Sequence, residues 1–419
     1  MRYIINGGKK LKGSIKISGN KNSVFPCIGA ALLTEDEVIL ENVSNLKDTE
    51  ILIQILQKLG VKVQKNRSTL KIKASNIHHS TLPEDLMVKL RGSLVLVGAM
   101  LARAGKVNFY HPGGDIIGKR SIETHLEGFK ALGASFKKSN SKYSLSIPQV
   151  SSGGYHIFLR EASVTATENL ILVSVLGQRQ VILENCAKEP HVVDLCNMLS
   201  QMGARIEGIG TETLIITGVT KLNGTSFTIG ADHIEVGTYI VASAITGGEI
   251  KIEGLKGVCL DPILRPLQSF GIKLENIGSS IVVYPSKLKS VSALITNIWP
   301  GFPTDLMSVA IVLATQAKGI TLCHDWMYEG RMFFTDKLIK MGAKITLADP
   351  HRVLVYGPNR LRGRVLETPD IRAGMALVVA ALVSKGESVI NQAELIERGY
   401  EGVVEKLKAL GADISRAEV

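Results

Sequence analysis

Six glycines recur along the chain at nearly equal intervals, and each follows a hydrophobic residue at the end of an amphipathic run. They are separated by 68 to 73 residues and lie in the contexts QKLGVKV, KALGASF, SQMGARI, QSFGIKL, IKMGAKI and KALGADI, at Gly60, Gly133, Gly203, Gly271, Gly342 and Gly411. Self-similarity at a fixed period indicates one supersecondary unit that has been copied. We therefore expect six related units, and residues that depart from the repeat become candidates for chemistry.

Each unit repeats the same order of predicted elements. It begins with a near-continuous apolar run, such as ENLILVSVLG at 168–177, which predicts a helix buried on most of its surface. A strand follows, such as QVILEN at 180–185, and then an amphipathic helix that ends at the repeat glycine as a C-cap. Two strands with alternating apolar residues close the unit. This order predicts an α/β (α+β) fold of six helix–strand–helix–strand–strand repeats, three in each of two domains.

The sixth unit lacks its closing strands, because only ADISRAEV follows Gly411. The strand-like runs RYIIN and GSIKIS precede the first unit, so we expect residues 1–20 to complete the sixth. This closure predicts a continuous domain, 21–229, with a loop at 111–125, and a discontinuous domain, 1–20 plus 230–419. Two connections between domains form a natural hinge around a cleft. A solenoid would not explain the displaced strands, and a propeller requires all-β blades.

Composition limits the class of protein. Of the 419 residues, 45% are hydrophobic and 21% charged, and no apolar stretch of about 18 residues predicts a membrane span. The N-terminus lacks the apolar core of a signal peptide, so we expect a cytoplasmic protein. Five cysteines without CxxC spacing argue against disulfides and against a metal site. The net charge of +11, without a long basic run and with 5% aromatic residues, fits a solvated surface or a small anionic ligand better than nucleic acid.

Charged and polar residues cluster at two positions within the units. One group begins the apolar helices: Lys21, Arg91, Ser163, Asp305 and Arg372. The other group lies in loops after the strand that follows each apolar helix: Asp115, Arg120, Glu329, Arg331 and Arg398. Helix N-termini with nearby arginines bind phosphate and carboxylate groups. Each residue alone also fits a structural role, and Asp305 fits a helix N-cap.

The segment HPGGDIIGKRSIETH, from His111 to His125, departs most from the repeat. Its glycines allow it to act as a lid. A surface loop with solvated charges is the alternative. The glycine spacing matches neither a Walker A motif nor a dinucleotide fingerprint.

The motifs SGNKN, PGG-x-x-x-G-x-R, ENCAKEP, GFPTD, YEGRM, DIRAG and ERGYE together resemble the enolpyruvyl transferases, in that family's order and over essentially the whole chain. The resemblance implies two domains, each an inside-out α/β barrel of three βαβαββ-type repeats, with no metal or organic cofactor. It implies transfer of the enolpyruvyl group of phosphoenolpyruvate to the 3′-hydroxyl of UDP-N-acetylglucosamine with release of phosphate, the first committed step of peptidoglycan synthesis. Its partners would be these two small molecules, not nucleic acid or membrane.

The resemblance also implies residue roles. Asp115 is expected to protonate the vinyl carbon and Asp305 to accept the sugar hydroxyl proton, while Lys21 and Arg398 assist catalysis. Phosphoenolpyruvate is expected to contact Lys21, Asn22, Arg120, Arg331, Arg372 and Arg398. The nucleotide sugar is expected to contact Asn22, Arg91, Arg120, Ser121, Ile122, Glu123, Thr124, Ser163, Val164, Asp305 and Met327. Glu329 and Asp370 are expected to support the acid–base chemistry.

Four residues depart from the family's pattern. Asp115 occupies the position of a common Cys, so its pKa must rise from about 3.9 if it is to donate a proton, and fosfomycin should not inactivate a protein without that thiol. Ser121, Glu161 and Thr165 replace a usual Pro, Lys and Gly at expected nucleotide contacts, and Arg160 could substitute for the Lys. These changes leave open an altered nucleotide sugar or shikimate 3-phosphate as acceptor. A non-catalytic, anion-binding repeat protein is the remaining alternative.

Overall fold

The chain forms two compact units in a computed structural model that describes residues 1–114, 117–118, 120–148, 153–177 and 179–418. Unit 1 comprises Met1–Ser18, Asp115–Lys119 and Ala231–Val419, and unit 2 comprises Gly19–Gly114 and Arg120–Gly230. Each unit has a hydrophobic core of its own. The prediction of a two-domain α/β fold is confirmed.

The strands are short, mostly of five residues. Those in the described residues are β1 Arg2–Asn6, β2 Lys12–Lys16, β3 Glu37–Glu41, β4 Lys62–Asn66, β5 Thr69–Lys73, β6 Lys106–Tyr110, β7 Ser135–Ser139, β8 Lys142–Ser146, β9 Gly154–Phe158, β10 Gln180–Glu184, β11 Arg205–Glu207, β12 Thr213–Thr217, β13 Ser226–Thr228, β14 Glu249–Glu253, β15 Lys273–Ile277, β16 Ser280–Tyr284, β17 Ala293–Ile295, β18 Gly319–His324, β19 Lys344–Asp349, β20 Arg352–Gly357, β21 Val365–Glu367, β22 Glu387–Asn391 and β23 Asp413–Ala417.

Apart from the four-residue helix Glu84–Met87, the helices of the described residues alternate between apolar and amphipathic ones. They are α1 Lys21–Ala31, α2 Lys47–Lys58, α3 Glu84–Met87, α4 Leu96–Ala104, α5 Glu123–Ala131, α6 Val164–Ser174, α7 Pro190–Gln201, α8 His233–Thr246, α9 Asp261–Ser269, α10 Met307–Gln316, α11 Thr335–Lys340, α12 Ile371–Val383 and α13 Val403–Ala409. Three short 3₁₀ turns span Arg91–Val95, Thr304–Leu306 and Ala393–Arg398. No helix of the described segments is long and apolar enough to cross a membrane.

Six sheets, one for each repeat, have closely related strand orders. In unit 2 the orders are β13-β3-β5-β4, β6-β8-β7 and β9-β10-β12-β11, and in unit 1 they are β2-β14-β16-β15, β17-β18-β20-β19 and β21-β22-β1-β23. In each four-stranded sheet one edge strand runs parallel to its neighbour and the other pairs are antiparallel. The repeat expected from the glycine period is therefore confirmed.

The N-terminal strands complete two different sheets. β1 pairs antiparallel with both β22 and β23, so RYIIN completes the sixth repeat as expected. The expectation for GSIKIS is wrong, because β2 pairs in parallel with β14 and completes the fourth repeat. The final segment ADISRA forms β23, so the sixth repeat lacks one closing strand and not two. Alternating residues suit an edge and a central strand equally, which is why composition did not assign the partners.

The apolar helices form the two cores. The side chains of α1, α4 and α6 are largely buried in unit 2, and those of α8, α10 and α12 in unit 1, as the apolar runs predicted. The six repeat glycines all have a left-handed backbone, with φ between 84° and 103°. Glycine adopts this conformation without a steric penalty, so their predicted role as helix C-caps is confirmed.

Candidate active site

Lys21 in unit 2 is held by a carboxylate that the motifs did not reveal. It is the first residue of α1, where Asn22 N donates a hydrogen bond to the N-cap side chain of Asn20. Lys21 Nζ lies 2.7 Å from Asp48 Oδ2 on α2, and 1% of the Asp48 side chain is exposed. Because an unpaired buried charge is costly, this ion pair fixes the position of the ammonium group.

A glycine brings Arg91 and Arg120 together. Arg91 begins the 3₁₀ turn before α4, and its Nη2 donates to the carbonyl oxygen of Ser121 at 3.0 Å. Gly114 has φ +119°, and a Cβ there would lie 2.9 Å from both Arg120 Nη2 and Arg91 Cβ. Any other residue at 114 would clash with these arginines. The structure thus places two expected anion-binding residues beside each other.

Two segments predicted to contact the nucleotide sugar are joined by hydrogen bonds within unit 2. Thr124 Oγ1 donates to Glu161 Oε1 at 2.7 Å. His125 Nε2 and Thr165 Oγ1 lie 2.9 Å apart. Glu161 and Thr165, two of the departures from the family's pattern, therefore hold the segment that begins α5 against the segment that begins α6.

Arg160 is engaged by carboxylates. Its guanidinium lies 3.1 Å from Glu123 and 3.4 Å from Glu127, both on α5. The neighbouring Glu161 is exposed, so this part of unit 2 carries three carboxylates around one Arg. Arg160 consequently does not present an isolated positive charge in place of the family's Lys.

His125 is buried, and the pKa of its side chain is strongly lowered. Burial lowers its pKa to about 3, and the charge of Arg91 acts in the same direction. Its Nδ1 has no hydrogen-bond partner among the described residues. The imidazole is therefore neutral at pH 7. The sequence offered no signal for it beyond its place at the end of the loop.

The motifs around α6 and α7 supply caps and buried carboxyls. Ser163 is the N-cap of α6 and accepts from Ala166 N at 3.4 Å, and Val164 is the first helical residue. Within ENCAKEP, Glu189 precedes α7, and burial raises its pKa to about 6. Burial and the charge of Glu189 raise the pKa of Glu168 well above its ordinary value.

In unit 1, Asp305 lies between two buried arginines. Its Oδ1 accepts from Arg331 Nη2 at 3.0 Å, and its Oδ2 accepts from Arg372 Nε at 3.0 Å and Nη2 at 2.8 Å. The Asp305 side chain is 29% exposed, whereas both guanidinium groups are almost wholly buried. The N-cap alternative for Asp305 is wrong, because the residue lies inside a 3₁₀ turn whose cap position is Pro303.

Arg372 is a permanently charged group in an apolar setting. Burial is the largest single influence and disfavours its charge, but Asp305, Tyr400 and Asp232 together outweigh burial, so the pKa of Arg372 lies above its ordinary value. The Tyr400 ring centroid lies 5.2 Å from its guanidinium carbon. Arg372 Nη1 and Arg331 Nε are buried and have no hydrogen-bond partner among the described residues. Such donors beside a partly exposed carboxylate suit the oxygens of an anion.

Asp370, unlike Asp305, is a helix N-cap, and the helix that it caps is α12. Its Oδ1 accepts from Arg372 N at 2.9 Å and from Ala373 N at 3.0 Å. This bond pair starts α12 and places Arg372 in the first turn. Gly399 follows Arg398, and a Cβ on it would lie 3.8 Å from Arg372 Nη1. The chain next to Arg398 therefore runs beside Arg372.

Asp325 is a wholly buried carboxylate that sequence reasoning missed, since HDWM matches no motif. Its Oδ1 accepts from Met327 N at 3.0 Å, and its Oδ2 accepts from Thr304 Oγ1. The Arg331 Nε lies 3.9 Å from the same Oδ2. Asp325 thus contacts Thr304, which precedes Asp305, and Arg331, which pairs with Asp305. It also contacts Met327, which is a predicted nucleotide-sugar contact.

Glu329 lies against part of the glycine-rich loop. Gly330 N donates to the carbonyl oxygen of Ile117 at 2.9 Å, and a Cβ on Gly118 would lie 2.4 Å from Glu329 Oε2. Asp115, the expected acid, lies outside the described residues. Within the described residues no group of three or more His, Cys, Asp or Glu side chains is arranged to bind a metal ion.

Comparison with known proteins gives the family. The family model described as EPSP synthase (3-phosphoshikimate 1-carboxyvinyltransferase) matches residues 5–407. The chain belongs to this family of enolpyruvyl transferases. Members similar to it include the UDP-N-acetylglucosamine 1-carboxyvinyltransferases of Borreliella burgdorferi, 45% identical, and Treponema denticola, 43% identical, with 99% of each chain covered in both cases.

Solved structures of this family share the fold. The enolpyruvyl transferase NikO from Streptomyces tendae has a TM-score of 0.87 and 24% identity, covering 99% of this chain and 98% of its own. EPSP synthase from Acinetobacter baumannii has a TM-score of 0.76 and 18% identity, covering 99% and 100%. At these identities the likeness concerns the fold alone.

Proposed function

We propose that the protein transfers the enolpyruvyl group of phosphoenolpyruvate to the 3′-hydroxyl of UDP-N-acetylglucosamine and releases phosphate. The observation that carries the proposal is the end-to-end match, at 43–45% identity, to enzymes named for this reaction. The charged groups described above supply what the chemistry requires, namely cations for the anionic substrates and carboxylates for proton transfer.

The reaction is an addition followed by an elimination. The 3′-oxygen of the sugar bonds to C2 of phosphoenolpyruvate, the sugar hydroxyl proton goes to Asp305, and a proton is added at C3. We assign the C3 proton donor to Asp115. The C2–O bond to phosphate then breaks, the phosphate leaves with the proton held by Asp305, and the proton that leaves C3 returns to the Asp115 carboxylate, which restores the double bond.

The two units contribute different groups to the proposal. From unit 2 we propose Lys21, Asn22 and Arg120 for phosphoenolpyruvate, and Arg91, Ser121, Ile122, Glu123, Thr124, Ser163 and Val164 for the nucleotide sugar. From unit 1 we propose Asp305 as base, Arg331, Arg372 and Arg398 for the donor's anionic groups, Met327 for the nucleotide sugar, and Glu329 and Asp370 as supporting groups. Apart from residues 115–119, which fall in unit 1, the two units would correspond, to within two residues at each boundary, to the enzyme's domains, 21–229 and 1–20 plus 230–419.

A specific observation favours an altered nucleotide sugar as a second candidate acceptor. Glu161 is exposed and bonded to Thr124, and Arg160 is engaged by Glu123 and Glu127. Three carboxylates around one Arg disfavour a diphosphate in this place, because like charges repel. An acceptor with less negative charge there would fit better.

Phosphate release separates these candidates. The enzyme is incubated with phosphoenolpyruvate and with UDP-N-acetylglucosamine, shikimate 3-phosphate or a nucleotide sugar that carries a single phosphate as acceptor. Release with UDP-N-acetylglucosamine alone is the expected result. Release with shikimate 3-phosphate or the single-phosphate nucleotide sugar alone would replace the proposed acceptor. Release with none of the three would contradict catalysis with these acceptors and favour an anion-binding role.

The cellular role follows from the proposed reaction. We propose a cytoplasmic enzyme of peptidoglycan synthesis, and hence of cell-wall growth and division, which fosfomycin does not inactivate. Depletion of the protein should deplete the enolpyruvyl nucleotide sugar in cell extracts. Unchanged levels of that product would contradict this role.

A further inference from the structure

We propose that Asp325 is a positioning residue of the active site, which orients Arg331 toward Asp305 and the donor substrate. The inference rests on the proposed function, since it concerns how that site is held in shape. The Asp325 side chain is 0% exposed, and its carboxylate contacts Thr304, Met327 and Arg331, which lie in or beside the site. It would not touch substrate and would act only through its neighbours.

The contacts of Asp325 have a consistent geometry. Oδ1 accepts from Met327 N, which fixes the carboxylate plane, and Oδ2 receives the Thr304 hydroxyl and faces Arg331 Nε at 3.9 Å. Thr304 directly precedes Asp305, whose Oδ1 accepts from Arg331 Nη2 at 3.0 Å. Arg331 is thus paired with two carboxylates, one buried and one partly exposed.

The carboxylates of Asp305 and Asp325 have different roles in this arrangement. Asp305 must be able to leave Arg331 when an anion binds, because the anion and Asp305 both accept hydrogen bonds from the same donors. A buried guanidinium that lost its only carboxylate would be an uncompensated charge. Asp325 supplies a second carboxylate that stays with Arg331, so Asp305 can move without leaving the cation unpaired.

The Asp325→Asn variant tests this role. The amide oxygen can still accept from Met327 N, while the NH₂ group replaces the acceptor that faces Thr304 and Arg331. We expect KM for phosphoenolpyruvate to rise at least 10-fold and kcat to fall at least 10-fold, with a smaller rise in KM for UDP-N-acetylglucosamine. Binding of phosphoenolpyruvate, measured by calorimetry without an acceptor so that no turnover occurs, should weaken in the same direction as KM rises.

Matched controls separate positioning from structural support. Asp336→Asn removes an exposed carboxylate of α11 and should leave both KM values within 2-fold. Thr304→Val removes the hydroxyl that donates to Asp325, whereas Thr304→Ser retains it. Thr304→Val should therefore change KM for phosphoenolpyruvate in the same direction as Asp325→Asn, and Thr304→Ser should resemble the wild type.

The outcomes are distinct. A purely structural role would lower the amount of folded protein but leave both KM values and the calorimetric affinity unchanged, and that result would overturn the proposal. If Asp325→Asn does not fold, equal kinetics for Thr304→Val and Thr304→Ser would overturn it instead. An inactive wild type would count against the proposed function, while a loss of phosphoenolpyruvate affinity in Asp325→Asn would still support the positioning role.

Discussion

Lys21 Nζ lies 2.7 Å from the Oδ2 of Asp48, a carboxylate with 1% of its side chain exposed. A lysine side chain has four rotatable bonds and usually samples many positions at a helix start. Here the buried carboxylate restricts it, so the ammonium group is in place before any anion binds. Preorganised charge of this kind is a large contributor to catalysis.

Replacing Lys21 by Met should affect stability as well as activity. The change leaves the buried Asp48 carboxylate without this ion pair, at a cost of about 3–5 kcal/mol in the free energy of unfolding. The double variant Lys21→Met/Asp48→Leu should recover at least half of that loss in urea unfolding and remain inactive. The exposed pair Lys58–Asp85 is the control, and Lys58→Met should cost less than about 1 kcal/mol. Equal effects of the two Lys variants would contradict the prediction.

Two substitutions of Asp305 should affect catalysis and stability differently. Asp305→Asn removes the proposed base, and we expect kcat to fall by about 10²- to 10⁴-fold. Asp305→Ala leaves Arg331 and Arg372 without their shared carboxylate and should destabilise the protein by about 3–5 kcal/mol. Adding Arg372→Met to Asp305→Ala should restore part of the stability and none of the activity. A rate for Asp305→Asn above half of the wild-type value would rule out the role as base.

Residue 115 should determine the response to fosfomycin. The wild type has a carboxyl at this position and no thiol to alkylate, so we expect no time-dependent loss of activity. Asp115→Cys should become sensitive, and Asp115→Asn should lose about 10²- to 10⁴-fold in kcat because it cannot donate the proton. Progressive inactivation of the wild type, or full activity of Asp115→Asn, would show that the assignment is wrong.

His125 should make stability depend on pH. Burial lowers its folded-state pKa from 6.5 to about 3, so the unfolded chain takes up this proton first as the pH falls. Its contribution to stability is present above pH 6.5, weakens by about 1.4 kcal/mol at pH 5.5 and is lost progressively toward pH 3. Urea unfolding of His125→Gln should therefore show a smaller drop between pH 7.5 and 5.5 than the wild type. His79→Gln, at an exposed position, should retain the wild-type drop.

The periodic part of the molecule could be predicted from the sequence, since buried helices and glycine caps have strong local signatures. The pairing partners of β1 and β2 could not be predicted in this way, because strand pairing is decided by distant residues and not by the five residues of each strand. The failure of the N-cap alternative for Asp305 has a similar origin, since Asp370 and not Asp305 caps a helix. Both carboxylates stand near a helix start, and only the tertiary position of Arg331 and Arg372 decides which one forms ion pairs.

The candidate site was predictable where motifs mark it and hidden where support comes from ordinary residues. Asp48 belongs to an amphipathic helix and Asp325 to a loop, and neither has a sequence context that distinguishes it from a surface carboxylate. Their burial is a property of the folded unit. Conversely, Glu161 and Thr165 were noticed as departures, and only the structure shows that they bond to Thr124 and His125.

The place of β1 between β22 and β23 sets the order in which a growing chain can fold. The ribosome makes β1 before the segment of unit 2 and both of its partners after that segment. Unit 2 has its own core from a segment made earlier, so we expect it to form while β1 is still unpaired. During that interval β1 is an open strand that a chaperone or another nascent chain can bind.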